Sequence, residues 1–314
     1  MTPRRLLAAL APLVLVGCIT PLPDLTQSRS PCRMEPGGWC DFVREAALAS
    51  YGYAMLSSNA YQDEDTYLAL PLAFQPRQAA GNDGSGLAYS MFDRFEVKDG
   101  KRGKLLARVI AFRGTEGASW NDLFSGTLGD RQRSGARTVY AAERAALDEA
   151  GMSEVAIEVT GHSLGGALAT QISIEHPEVK AYLFNTSPFF TGDPMLNDIN
   201  RLAISERGEF LRLLRRYKVS AASEQVVINC NPTVNAGSKH SIRKLADCLT
   251  WIAAYGDSEA LTLVRRNLVK KPEVECGPAD KVHPGLGSRR MAEGESLPVC
   301  VHEARPPAKG QVQP

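Results

Sequence analysis

The chain has 314 residues and a formal net charge of +1, a length that suits one large domain or two small ones. Hydrophobic residues make up 44% and charged residues 23%, so there is enough apolar surface for a sizeable core, and wholesale disorder is excluded. Lys and Arg number 36 against 35 for Asp and Glu. Because binding to nucleic acid needs a basic excess on one face, this balance gives no reason to expect a nucleic-acid partner.

The first twenty residues have the pattern of an export signal. Arg4 and Arg5 precede an apolar run over residues 6–16, which is shorter than the roughly 20 residues a membrane-spanning helix needs. The run ends in Leu15-Val16-Gly17-Cys18, which resembles the lipobox of bacterial lipoproteins. The resemblance implies removal of residues 1–17 and a diacylglycerol thioether on Cys18. An ordinary signal peptide with a chance cysteine is the alternative.

Attachment through Cys18 predicts a protein of the cell envelope. Acyl chains gain about 0.8 kcal/mol per buried methylene, so a triacylated cysteine would hold the chain firmly on a membrane. Ile19 follows the cysteine in place of the aspartate that signals retention at the inner membrane. We therefore expect the outer membrane of a Gram-negative host.

The remaining cysteines agree with an oxidising compartment. Six are left when Cys18 is set aside, and an even number in an exported chain predicts disulfides. The sequence does not select among the possible pairings, but proximity favours Cys32–Cys40, Cys230–Cys248 and Cys276–Cys300. No two cysteines have the short spacing of a zinc site, so no metal is expected.

Strand and helix patterns alternate from about residue 104 onward, which predicts a mostly parallel α/β sheet. Residues 18–38 are rich in Pro, Ser and Gly and are expected to be a tether, residues 39–282 the catalytic domain, and residues 283–314 a Pro/Gly-rich tail. The predicted helices are 41–56, 137–150, 164–175, 210–217 and 241–255, and the predicted strands are 87–97, 104–112, 155–160, 181–185, 202–205 and 225–229.

Gly161-His162-Ser163-Leu164-Gly165-Gly166 is the most informative motif. It follows a β-branched strand and opens a helix, which is the setting of a nucleophile elbow. Glycines are expected there because the turn is tight and a Cβ would collide with the neighbouring strand and helix. Ser163 is therefore the candidate nucleophile.

A second motif, Ala111-Phe112-Arg113-Gly114-Thr115-Glu116, ends a strand about 50 residues earlier. With Trp120-Asn121-Asp122-Leu123 after it, this region and the elbow resemble the lipase class 3 family, over about residues 40–255. The resemblance implies an α/β-hydrolase fold, hydrolysis of carboxylic esters without metal or organic cofactor, and an oxyanion hole formed by the N–H groups of Thr115 and Leu164.

The base and the acid of the triad should follow the serine in the order acid, then histidine. The resemblance favours His240, which follows a strand and a loop and precedes a helix; His283 is the alternative. No aspartate stands where the family has its acid. Glu209, before Phe210-Leu211, fits the pattern best, and Glu206, Asp193 and Asp198 stay open as alternatives. If Glu206 is not the acid, it is expected to be exposed.

Arg212, Arg215, Arg216 and Lys218 form a basic run, which is expected to be a solvated helix face, with contact to anionic lipid headgroups as the alternative. The sequence as a whole predicts a serine esterase or lipase with a lipid or other ester as substrate. A thioesterase or amidase could use the same triad. A catalytically silent envelope lipoprotein with this fold is the non-enzymatic alternative.

Overall fold

The structure is a computed structural model that describes residues 32, 35–61, 66–78, 86–114, 126–215, 224–274, 281–284 and 298–301. Seven strands form one sheet in chain order, and two more form a separate antiparallel pair. The strands are β1 Phe74–Gln78, β2 Tyr89–Lys98, β3 Lys101–Phe112, β4 Ala156–His162, β5 Lys180–Phe184, β6 Arg201–Glu206, β7 Glu224–Ile228, β8 Lys281–Pro284 and β9 Pro298–Val301.

The pairing in the large sheet changes once along its width, from antiparallel to parallel. Strands β1 to β3 pair antiparallel, and β3 to β7 pair parallel. The helices are α1 Asp41–Asn59, α2 Gly126–Glu149, α3 Leu164–Glu175, α4 Leu211–Arg215, α5 Ala236–Lys239, α6 Ile242–Ala253 and α7 Ser258–Arg266. Helix α2 connects β3 to β4 and α3 connects β4 to β5, as parallel strands require a crossover.

The core has two layers because side chains of a strand alternate between the sheet faces. On one face Val109 and Ala111 of β3 pack with residues of α1, α6 and α7. On the other face Ile110 and Phe112 pack with residues of α2 and α3. A parallel sheet covered by helices on both faces, with a sharp strand-to-helix turn after β4, is an α/β-hydrolase fold. The predicted fold class is confirmed.

Some elements differ from the sequence-based expectation. Helix α2 begins at Gly126, ahead of the predicted start at 137, and β1 and α7 were not predicted. Strand β1 contains a proline and a register irregularity, both of which weaken a strand pattern. Strands β8 and β9 pair where the sequence predicted mainly loop or tail.

Two of the three proximity-based disulfides are present. Cys32 pairs with Cys40 and Cys230 pairs with Cys248, while Cys276 lies outside the described residues. The second bond joins the end of β7 to α6, so it closes the loop that contains His240. Cys18 also lies outside the described residues. In the part of the chain that the structure describes, no helix is both long and apolar enough to cross a membrane.

Candidate active site

Ser163 lies in the turn between the end of β4 and the start of α3. Its backbone has φ 58° and ψ −124°, and a positive φ at a residue other than glycine costs of order 1–3 kcal/mol. Two backbone hydrogen bonds hold this conformation: the Ser163 N–H donates to the Phe184 carbonyl at 3.1 Å, and its carbonyl accepts from the Ser187 N–H at 2.9 Å. A strained serine between strand and helix is the geometry of a nucleophile elbow.

The glycines of the motif are required by close packing around this turn. A Cβ on Gly165 would lie 2.1 Å from the carbonyl oxygen of Phe112, and one on Gly161 would lie 2.4 Å from the carbonyl carbon of Gly165. Backbone atoms cannot move away as a flexible side chain can. Any larger residue at these positions would push α3 away from β3 and β4.

The predicted oxyanion donors are only partly described. Gly114 follows β3 and runs beside the serine, since a Cβ on it would lie 3.1 Å from Ser163 Cβ. Thr115, the next residue, lies outside the described residues. Leu164 is the first residue of α3, where backbone N–H groups have no partner within the helix. The roles of Thr115 and Leu164 stay predictions.

His240 is the C-cap residue that directly follows helix α5. It lies near Ser163 at the carboxyl end of the parallel strands, because its carbonyl contacts His162 at the end of β4. Its Nδ1 lies 3.1 Å from Oε2 of Glu209. The imidazole is flanked by two rings, with centroid distances of 4.6 Å to His162 and 4.4 Å to Phe210. The preceding turn is held by Asn185, whose Nδ2 donates to the Lys239 carbonyl at 3.2 Å.

Glu209 is buried, and its two oxygens face different partners. Oε2 accepts the Leu211 N–H at 2.9 Å in addition to facing His240, while Oε1 accepts from the guanidinium of Arg215. The carboxylate therefore bridges a buried cation and the candidate base. Three donors therefore restrict its orientation, namely the Arg215 guanidinium, the Leu211 N–H and Nδ1 of His240.

The basic run that begins at Arg212 was expected to be a solvated helix face, and for Arg215 this expectation is wrong. Its side chain is buried in α4, where Nη2 donates to Glu209 and to Ser205 Oγ, the latter at 3.0 Å, and Nη1 donates to the Thr186 carbonyl. Burial lowers the pKa of the Arg215 guanidinium, and Glu209 partly offsets this effect. Arg216 and Lys218 lie outside the described residues.

Glu206 ends β6 and was expected to be exposed, but it is only 2% exposed. Its Oε1 accepts the N–H groups of Cys230 at 2.9 Å and Asn231 at 3.0 Å. Burial raises the pKa of Glu206 to about 7, although these two N–H groups oppose the rise. Glu206 thus joins the ends of β6 and β7, and its hydrogen bonds are directed at the β7 loop.

The remaining alternatives belong to other segments of the chain. Asp193 is exposed and accepts the Met195 N–H within its own turn. Asp198 opens a short 3-10 helix before β6, so the whole length of β6 separates it from Glu206. His283 lies in β8, in the small second sheet.

His162 was expected to point away from the serine oxygen, and the structure shows what it contacts instead. Its Nε2 lies 2.6 Å from the carbonyl oxygen of His240, and its Nδ1 lies 2.7 Å from the hydroxyl of Tyr61. Burial keeps the pKa of His162 well below its ordinary value, so the ring is neutral. A carbonyl only accepts, so Nε2 carries the proton and the Tyr61 hydroxyl donates to Nδ1.

Sequence reasoning missed three supports of the site, namely Tyr61, Asn185 and Arg215. Tyr61 contacts His162, 101 residues later in the chain, and Asn185 contacts Lys239, 54 residues later. No local sequence pattern predicts such distant contacts. Arg215 is only six residues from Glu209, but this is not the spacing of three or four residues that marks neighbours on a helix.

In the described part of the chain, Ser163 Oγ and the His240 ring do not form a hydrogen bond. Such bonds are often long before a substrate is present and shorten in the enzyme–substrate complex. The described geometry therefore consists of an elbow serine and a separate histidine–carboxylate pair at one edge of the sheet.

A comparison with protein-family profiles finds no match, and neither does a comparison with curated proteins. Among solved structures, the chain is similar to a lipase from Rhizopus microsporus var. chinensis, with 13% identity over 51% of this chain and a TM-score of 0.32. The chain spans 64% of that lipase's length. It is also similar to a mutant form of MDLA from Penicillium cyclopium, with 18% identity over 61% of this chain and 84% of that one, and a TM-score of 0.37.

Proposed function

We propose that the protein is a serine hydrolase that cleaves carboxylic esters, with lipids as the substrate class. The observation that carries the proposal is the conformation of Ser163, a non-glycine residue with positive φ between β4 and α3. A strained backbone that places a serine at the carboxyl end of a parallel strand serves nucleophilic attack and has no evident value for stability. The histidine–carboxylate pair at the same edge adds the base that a serine nucleophile needs.

In the proposed mechanism Ser163 Oγ attacks the acyl carbon while His240 Nε2 takes the hydroxyl proton. Glu209 holds the proton on Nδ1 of His240 and stabilises the imidazolium that forms. The oxyanion of the tetrahedral intermediate accepts hydrogen bonds from the N–H groups of Thr115 and Leu164. Each bond stabilises the transition state by about 2.7–4 kcal/mol. His240 then returns the proton to the leaving alcohol.

Water completes the cycle by hydrolysing the acyl-enzyme. His240 removes a proton from this water and later returns it to Ser163, so the same base serves both half-reactions. His162 supports the base from behind, because its Nε2–H donates to the His240 carbonyl. Since His162 stays neutral, it does not place a second positive charge beside the imidazolium.

The preference for lipid substrates rests on the resemblance to the lipase class 3 family and on the proposed membrane attachment. We propose that Cys18 is acylated and retains the protein at the outer membrane, with residues 18–38 as the tether. A substrate ester in the same bilayer would then be close to the enzyme at all times.

The test is a labelling and turnover experiment on the full chain. Ser163→Ala should abolish reaction with a fluorophosphonate probe and hydrolysis of p-nitrophenyl esters of graded chain length. Ser134→Ala, on the exposed surface of α2, is the matched control and should keep both. Equal labelling of the two variants would refute the proposal. Faster turnover of a thioester or anilide would move the substrate class to the alternatives.

Membrane attachment has its own test. Cys18→Ser cannot form the thioether, so it should lose acyl-label incorporation and leave an uncleaved or soluble precursor. Ordinary fractionation and labelling of this variant would exclude lipidation at Cys18 and leave the hydrolase proposal unaffected.

A further inference from the structure

Arg215 lies next to the candidate acid without any contact to the candidate nucleophile. All its described hydrogen bonds go to Glu209, Ser205 and the Thr186 carbonyl. Glu209 and Arg215 have side chains that are 0% and 8% exposed. The pair is therefore enclosed by protein, at the end of the sheet where His240 lies.

Hydrogen bonds between a guanidinium and a carboxylate are shorter and stronger than hydrogen bonds between neutral groups. The bond from Arg215 Nη2 therefore holds Oε1 of Glu209 more firmly than a neutral donor would.

The guanidinium also restricts the direction of the carboxylate. Glutamate has one more rotatable bond than the aspartate of the lipase class 3 pattern, so its carboxylate is less well fixed by the backbone. Arg215 takes Oε1, and the Leu211 N–H takes one position on Oε2. The remaining acceptor position of Oε2 faces Nδ1 of His240.

Stability gives little reason to keep this pair. Buried ion pairs are often replaceable by apolar side chains without loss of stability. In addition, Nε of Arg215 is buried and has no hydrogen-bond partner among the described residues. A buried cation with one donor unsatisfied points to a role beyond packing.

We infer that Arg215 is a positioning residue of the reaction, which holds the carboxylate of Glu209 directed at His240. The inference rests on the proposed function. It also explains how glutamate can occupy the place of the family's aspartate, because the arginine supplies the restraint that the longer side chain lacks.

Several other charged or titratable groups lie around the pair and must be separated from its effect. They are Arg212 on α4, Glu206 at the end of β6, Lys239 on α5 and His162 at the end of β4. Arg212 is the best control, because it is a cation on the same short helix, three residues from Arg215, and its side chain has no hydrogen bond to Glu209 among those described.

The experiment compares Arg215→Met, Arg215→Lys and Arg212→Met in the full chain. Arg215→Met should lower kcat by about a hundredfold with little change in KM, the size of effect expected from a misplaced catalytic group. The low-field proton signal of His240 Nδ1–H should weaken or disappear in this variant, because the carboxylate is no longer held against Nδ1. Arg215→Lys should retain much of kcat and of this signal, and Arg212→Met should change neither quantity.

A loss of kcat in Arg215→Met with an unchanged Nδ1–H signal would overturn the inference, as would an equal loss of the signal in Arg212→Met. If Arg215→Met does not fold, Arg215→Lys decides: the inference requires that its Nδ1–H signal persists, and loss of that signal overturns it. Failure of the proposed function is distinguishable, since the wild-type protein would then not react with the fluorophosphonate, while the Nδ1–H signal would still test the positioning.

Discussion

Replacing Glu209 by glutamine tests the candidate acid, because the surrounding donors allow no good orientation of an amide. With its oxygen toward Arg215, the amide NH₂ faces the Leu211 N–H and His240 Nδ1. His240 must then accept at Nδ1 and carry its proton on Nε2, where it cannot act as a base. With the amide reversed, the NH₂ faces the guanidinium.

The size of the effect follows from these two orientations. Hydrogen bonds to charged groups contribute about 1.5–3 kcal/mol and neutral ones about 0.5–1.5 kcal/mol, so the orientation that keeps the Arg215 bond is favoured by about 1–2 kcal/mol. This alone reduces the competent tautomer roughly tenfold. Loss of the negative charge beside the imidazolium adds a further loss of the same order or more. We expect kcat to fall at least about a hundredfold and up to about ten-thousand-fold.

The assay is p-nitrophenyl ester hydrolysis by purified Glu209→Gln, with urea unfolding to verify that the variant is folded. Glu206→Gln is the matched control, because it makes the same chemical change in a second buried glutamate that faces backbone N–H groups of Cys230 and Asn231. It should retain most of the turnover.

A folded Glu209→Gln protein with kcat within about threefold of wild type would refute the assignment of the acid. Reversed effects of the two variants would assign the role to Glu206. Full activity of both would require the acid to come from elsewhere, with Asp193 and Asp198 as the next variants.

Three further changes test the supports of the site. Burial raises the pKa of Glu206 from 4.5 to about 7, so the folded state binds more protons than the unfolded state between these pH values. The free energy of unfolding of the wild type, measured with urea, should therefore fall by up to about 3 kcal/mol as the pH rises through this range. Glu206→Gln should remove this dependence. His162→Phe keeps a ring beside His240 but removes the N–H that holds its carbonyl, and should lower kcat about tenfold to a hundredfold at nearly constant KM; an unchanged kcat would contradict the positioning role. Gly165→Ala should lower the urea midpoint and the rate of fluorophosphonate labelling, since its Cβ would lie 2.1 Å from a carbonyl oxygen. Gly151→Ala, with open space around it but a φ of 69°, should lower the urea midpoint as well and keep the labelling rate.

The sequence by itself determined the features that depend on neighbouring residues. Period-2 and helical patterns predicted β3 to β7 and the helices between them, because burial imposes these periods locally. The glycines around Ser163 predicted the tight turn, and short separations predicted the pairs Cys32–Cys40 and Cys230–Cys248.

Only the tertiary structure decided which carboxylate meets the histidine. Glu206 and Glu209 are three residues apart, and the sequence favoured Glu209 but left Glu206 open. In the fold the first is directed at the β7 loop and the second at His240, 31 residues away. Arg215 reads as a surface cation in sequence and is buried in the fold. The physical reason is that a buried charge is tolerated only where a partner from another segment compensates it. Such partners are set by how the strand ends and loops pack, which local composition does not encode.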